Sequence, residues 1–187
     1  MNDKKILIID NETTRFLENG GKIVEVGAGE LCLETGQKKI MYDEVTHEKG
    51  ITKQEVEESW IISNSDLSLD DIRYSKSLDE LKPEIQMLID IYPNGATAFN
   101  NAFDFGFLED RGFIFPKKLA CPMKLSTNIC QLPKKTGSGY KWPNVMEAHK
   151  HFFGDVGYIE KHRGADDAFH EADIVFKLYQ IGIFKLD

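Results

Sequence analysis

Ile6-Leu7-Ile8-Ile9-Asp10-Asn11-Glu12-Thr13-Thr14 is the stretch on which the fold turns. An apolar run ending in two acids at i and i+2 reads as a buried strand that presents both carboxylates on one face, because strand side chains alternate sides. Two carboxylates side by side repel unless something cationic lies between them. Oxygen-rich clusters of this kind suit Mg²⁺ or Mn²⁺, and open α/β sheets place ligands at strand carboxyl ends. A turn followed by a helix cap is the competing reading of the same residues.

Outward from this strand, residues 22–34 carry two apolar stretches with Gly27 and Gly29 between them, which predicts two further strands joined as a hairpin. After a polar stretch, residues 54–62 and 78–91 have helical spacing, the second with Leu81, Ile85, Leu88 and Ile89 on one side. Pro93-Asn94-Gly95 ends it. Residues 96–99 predict a fourth strand, 102–110 a helix and 118–121 a fifth short strand. Strands and helices then alternate, so the expected class is α/β. Residues 132–143 read as a loop from their Gly, Pro and Ser content and are the best candidate for a mobile segment. Asn144 can cap a helix through Phe153, and residues 166–180 predict the last long helix.

The 187 residues form one expected domain, 1–187, long enough to bury an ordinary hydrophobic core. With 41% hydrophobic and 29% charged residues the chain belongs among soluble globular proteins. No apolar run reaches membrane-spanning length, and no signal-peptide core follows Met1. Cys32, Cys121 and Cys130 lack Cys-x-x-Cys or metal-like spacing, which predicts three small free thiols, in the core or at the surface, and a cytoplasmic setting. The 31 acids against 23 Lys and Arg give a net charge of −8, which argues against non-specific coating of nucleic acid.

A second acid, Asp104, lies in Phe99-Asn100-Asn101-Ala102-Phe103-Asp104-Phe105-Gly106-Phe107, where an inward carboxylate among aromatic rings is costly without a partner. Favourable placement near a helix N-terminus is the alternative account. A third cluster is His162-Arg163-Gly164-Ala165-Asp166-Asp167. Helical counting from Asp166 reaches His170, Asp173 and Lys177, whereas from Asp167 it reaches Glu171, Ile174 and Leu178, so Asp167 is the one that faces inward. Asp10, Glu12, Asp104 and Asp167 together can hold two divalent cations about 3.5–4 Å apart, as in phosphodiester cleavage. His162 is the natural group to take a proton from water near neutral pH.

With these residues in order, the sequence resembles the DEDDh exonucleases, the DnaQ-like group that includes the proofreading epsilon subunit of bacterial DNA polymerase III. The family's Asp-x-Glu-Thr-Thr-Gly is matched by Asp10 to Thr14, with Arg15 where glycine is common. Its His-Asn-Ala-x-Phe-Asp pattern is matched by Phe99 to Asp104, without the leading histidine. Its His and Asp five places apart are matched by His162 and Asp167. Lys22 to Ala28 is similar to the family's second strand, and Gly50-Ile51-Thr52 to the tripeptide after its third.

The resemblance implies an RNase H-like fold, a five-stranded mixed β-sheet flanked by α-helices, and 3′–5′ removal of nucleoside monophosphates from single-stranded 3′ ends. DNA is the first expectation. By resemblance Asp10, Glu12 and Asp167 would hold one metal, Asp10 and Asp104 would serve the second, and Thr13, Asn100 and Phe103 would meet substrate. Two rival readings are an exoribonuclease of the RNase T or oligoribonuclease type and a non-catalytic polymerase- or nucleic-acid-binding module. The short tail after the last predicted helix offers no docking segment for a polymerase. The loop residues Lys134, Lys135, Tyr140, Lys141 and Trp142 could follow a single strand, Lys161 and Arg163 could meet phosphate, and His149 with His151 diverge at i and i+2.

Overall fold

The computed structural model describes residues 4–186. Strands β1 (Lys5–Thr13), β2 (Ile23–Cys32), β3 (Lys38–His47), β4 (Lys76–Ser77) and β5 (Ala96–Thr97) form one mixed sheet in the order β4-β3-β2-β1-β5. The pairs β1–β2 and β2–β3 are antiparallel; β1–β5 and β3–β4 are parallel. The expected five-stranded mixed sheet is therefore present.

β1 is buried on both faces, which explains its unbroken apolar run. Ile6 and Ile8 pack with Ile174, Val175 and Leu178 of α8 (Gly164–Gln180), whereas Leu7 and Ile9 pack with Leu81, Ile85 and Ile89 of α4 (Leu78–Asp90) and Phe105 of α5 (Asn101–Asp110). A third cluster joins Val24 to Val56 of α1 (Lys53–Glu57), Ile61 of α2 (Trp60–Asn64) and Ile72 of α3 (Leu69–Tyr74). The remaining helices, α6 (Pro122–Cys130) and α7 (Val145–Phe153), pack onto the α8 side.

Several expected elements are corrected. Residues 22–34 hold one long strand, β2, rather than a hairpin, and the hairpin is β2–β3. Gly27 and Gly29 have the composition of a turn, but a glycine within a strand also marks close backbone approach. Here it does: a Cβ on Gly27 would lie 1.9 Å from the carbonyl carbon of Gly164. β3 has no clean apolar alternation in its sequence, because Lys39, Ile40, Asp43 and Glu44 are exposed. Residues 118–121 contribute a single bridge, Lys118 to Ala96, and lead into α6; the fifth strand is the two-residue β4. The helix expected over 54–62 breaks at Glu58–Ser59 into α1 and α2.

Other expectations hold. Asn144 caps α7 in a reciprocal capping box with Glu147. α8 ends where expected and starts two residues earlier. Residues 132–143 contain no helix, only a Pro133–Tyr140 bridge. The three cysteines are buried thiols. Among the described residues, no helix is long and apolar enough to cross a membrane.

Candidate active site

Asp10 and Glu12 continue the register of Ile6 and Ile8, so their carboxylates emerge on the face of the sheet covered by α8. What brings α8 to them is the bare backbone at its first turn. Gly164 lies against Gly27, and a Cβ on Gly164 would lie 2.9 Å from the Asp10 carbonyl oxygen. That approach aligns Asp167, three residues into the helix, with the end of β1.

Asp167 also fixes the chain ahead of its helix. It accepts the Arg163 N–H at 3.0 Å, the Lys161 N–H at 3.3 Å and the Tyr158 hydroxyl at 3.4 Å. His162 sits between these tethers with a left-handed φ of 55°. Ligand atoms of Glu12, His162 and Asp167 all lie within 4.8 Å of one another, a spacing fit for a metal ion. Asp167 is buried and Asp166 half-buried, as the helical counting expects.

Asp104 arrives from the other side. β5 pairs only with Leu7 and Ile8, so the Asn11 N–H farther along β1 has no strand partner there, and Asp104 accepts it at 3.0 Å. The Asn11 amide donates to the Asp104 carbonyl at 3.2 Å, tying the first turn of α5 to β1. Thus the structure gathers Asp10, Glu12, Asp104, His162 and Asp167 at the carboxyl end of β1.

The electrostatics state what the cluster lacks. Burial pushes the Asp10 carboxyl well up, helped by the charges of Glu171, Asp104, Glu12 and Asp167. Glu12 rises for the same reasons, with Asp167 its strongest charged neighbour. Asp104 is pushed up to about 7 by burial, partly offset by the hydrogen bonds from Asn11. So many carboxylates cannot ionise together in a buried site without positive charge. Hard oxygen donors in this number fit divalent cations such as Mg²⁺ or Mn²⁺.

Two acids of the cluster escape a motif-based reading. Glu171, only 3% exposed, lies one helical turn beyond Asp167 and accepts the Phe99 N–H at 3.2 Å. Its carboxyl is also pushed well up, first by burial and then by Asp104. Its spacing from Asp167 was the available signal. Glu160 is pushed to about 7 by burial and then by Asp167. A third acid, Glu25, faces Glu12 across the β1–β2 ladder and has a cationic partner: Arg163 Nε lies 3.1 and 3.0 Å from its carboxylate oxygens.

The supporting residues are placed as follows. Thr13 is half-buried beside Glu12, its hydroxyl donating to the Arg15 carbonyl at 3.2 Å. Asn100 occupies the cap position of α5 without a side-chain capping bond. Phe103 is half-buried, its ring 6.2 Å from exposed Phe16 and 4.9 Å from Phe107. Arg15 approaches Glu55 at 3.8 Å, and Phe99, standing where the resembling motif has histidine, fills the core.

Both cations beside His162 are engaged. Arg163 holds Glu25 and Asp66, and Lys161 pairs with Asp166 at 2.7 Å. His149 is buried against Tyr158 and His151 is exposed, so the two diverge. In the 132–143 loop Lys141 pairs with Glu147, while Tyr140 and Trp142 stay exposed.

No family model matches the chain, and a search of curated proteins finds no match. Solved structures do match its backbone. A full-length 3′-exonuclease gives a TM-score of 0.71 at 15% identity, over 98% of this chain and 62% of the other, so this chain spans less than two thirds of that enzyme. A 3′-exonuclease in 3′-end specific recognition of a histone mRNA stem-loop gives 0.72 at 14% identity, over 99% and 86%. The nuclease domain of 3′hExo, a DEDDh family member bound to rAMP, gives 0.68 at 16% identity, over 98% and 97%. The mixed five-stranded sheet with its flanking helices is thus the RNase H-like fold of the DEDDh 3′-exonucleases.

Proposed function

We propose that this chain is a metal-dependent 3′–5′ exonuclease that releases nucleoside 5′-monophosphates from single-stranded 3′ ends. The observation that carries the reading is the meeting of Asp10, Glu12, Asp104, His162 and Asp167 at one strand end within this fold. Asp10, Glu12, Asp104 and Asp167 would hold two divalent cations, Mg²⁺ or Mn²⁺. Such a pair, when bound, stabilises the charge that develops on the attacking and leaving oxygens.

His162 takes the proton of the water that attacks phosphorus, a role suited to an imidazole near neutral pH. The bond from phosphorus to the 3′ oxygen of the preceding nucleotide breaks, and that oxygen leaves with a proton from solvent. Asp167 holds the His162 segment through the N–H groups of Lys161 and Arg163. Thr13, Asn100 and Phe103 contact the terminal nucleotide in this reading.

Digestion of 3′-labelled and 5′-labelled oligonucleotides with Mg²⁺ and Mn²⁺ tests it. Mononucleotides should appear from the 3′ end, and Asp10→Ala or Asp167→Ala should abolish them; undiminished cleavage by these variants overturns the assignment. DNA remains the first substrate, in a free-standing repair or processing role. An exoribonuclease is the second reading, favoured by the structural neighbours bound to rAMP and recognising an mRNA stem-loop. Matched DNA and RNA oligonucleotides separate the two.

A further inference from the structure

Trp60 is the first residue of α2, and it is 57% exposed although the segment beneath it is packed. Ile61, the next residue, is buried with Val24, Val56, Leu67 and Ile72. The far end of the segment is strapped down as well. Asp66 receives Arg163 Nη1 at 2.6 Å, and the same guanidinium grips buried Glu25 on β2. A large apolar ring thus stands in solvent on a segment anchored by buried Ile61, an arrangement that suits a binding surface better than a loose loop.

The ring's single aromatic neighbour among the described residues is His162. Their centroids are 4.5 Å apart with the planes at 77°, so the imidazole and indole meet edge to face, and more than half of Trp60 remains open to solvent. His162 in turn lies with Glu12 and Asp167. Basic side chains offer little at this end of the site, because Lys161 and Arg163 are already paired with Asp166, Glu25 and Asp66. Cations at the acids would attract the phosphate, whereas a base is held by stacking, which is indifferent to base identity.

We propose that Trp60 is a base platform: its exposed indole stacks the nucleobase of the 3′-terminal nucleotide of an unpaired strand. This rests on the exonuclease reading of the adjacent site. The choice of nucleotide follows from in-line displacement, in which the attacking water and the leaving 3′ oxygen lie on opposite sides of phosphorus. His162 stands on the water's side, away from the preceding nucleotide, and Trp60 stands beside His162. The terminal base is therefore the one within its reach.

The chain has two tryptophans, so Trp142→Phe leaves Trp60 as the sole indole reporter. In that background with Mg²⁺, deoxyadenosine monophosphate should quench the fluorescence saturably, whereas deoxyribose 5-phosphate, which lacks a base, should not. Trp60→Ala should raise KM for a single-stranded oligonucleotide about 5- to 100-fold with a smaller change in kcat, and Trp60→Phe should recover most of the loss. Equal responses to the two phosphates overturn the platform. So does a Trp60→Ala variant that shifts the pH profile of kcat and leaves KM unchanged, since that describes a ring serving only to orient His162. Base-dependent quenching without nucleotide release from any oligonucleotide would uphold the platform and reject the exonuclease reading. Nucleotide release without quenching would do the reverse.

Discussion

Gly27 and Gly164 meet through bare backbone, with room for a side chain on neither: a Cβ on Gly27 would lie 2.0 Å from the Ala165 nitrogen, and one on Gly164 would lie 2.7 Å from the Gly27 nitrogen. This contact sets the distance between β1, which bears Asp10 and Glu12, and α8, which bears Asp167. Gly27→Ala or Gly164→Ala must push backbone apart, at a cost of about 1–3 kcal/mol. We expect a lower melting temperature and a loss of nucleotide release larger than the stability loss explains. Gly29→Ala is the control, since its nearest new contact is an ordinary 3.7 Å. Equal tolerance at Gly27 and Gly29 in thermal unfolding would refute the contact's role.

The same contact explains what the sequence left unread. Gly27 and Gly29 are ambiguous between turn and close approach until the partner, Gly164, is known, and that partner lies far along the chain. β1 was legible because burial on both faces leaves an apolar run, whereas β3 is a largely exposed strand whose lysines and acids resemble a loop. In the site, Asp167 was separable from Asp166 by helical spacing because the helix is long and amphipathic. Glu171 shares that spacing, which turns it inward, but it belongs to no short motif, and its place beside Asp10 comes from the packing of α8.

Removing metal should make stability fall as pH rises. An acid whose folded-state value is raised contributes stability that is present below its unfolded value and is lost as pH climbs through the folded one. Asp104 and Glu160 stand at about 7, with Asp10, Glu12 and Glu171 also raised by burial and mutual repulsion. His149, which burial holds below its usual value, works the other way up to about pH 6.5. The clean window is therefore above that. In chelator the melting temperature should drop from pH 6.5 to 8, and Asp104→Asn should flatten the drop. Mg²⁺ should raise the melting temperature more at pH 8 than at pH 6.5. A flat profile in chelator contradicts the burial of these acids.

Glu171 offers a separation of charge from hydrogen bonding. Glu171→Gln keeps an oxygen to accept the Phe99 N–H and removes the negative charge beside Asp10 and Asp104. In chelator at pH 8 this variant should melt higher than the wild type, because repulsion is relieved. Its Mn²⁺ affinity, read by calorimetry, should be several-fold weaker. Glu171→Leu removes the acceptor as well and strands a buried N–H, which costs about 1–3 kcal/mol. If the Gln variant bound Mn²⁺ as tightly as the wild type, Glu171 would be a structural acceptor alone.

Arg163 joins two acids of opposite surroundings, and the two halves of its bridge should differ sharply in worth. Glu25 is 0% exposed, and burial raises its carboxyl even against the pull of the guanidinium. Asp66 is 79% exposed at its side chain, where solvent screens the pair. Arg163→Met leaves the Glu25 charge buried without its partner and should cost about 3–5 kcal/mol, the range for a broken buried pair. Asp66→Asn should cost less than about 1 kcal/mol. The double variant Arg163→Met with Glu25→Gln should recover much of the first loss, since no charge is then stranded. Denaturant unfolding measures all three, and equal costs for Arg163→Met and Asp66→Asn would show that the buried half of the bridge contributes no more than the exposed half.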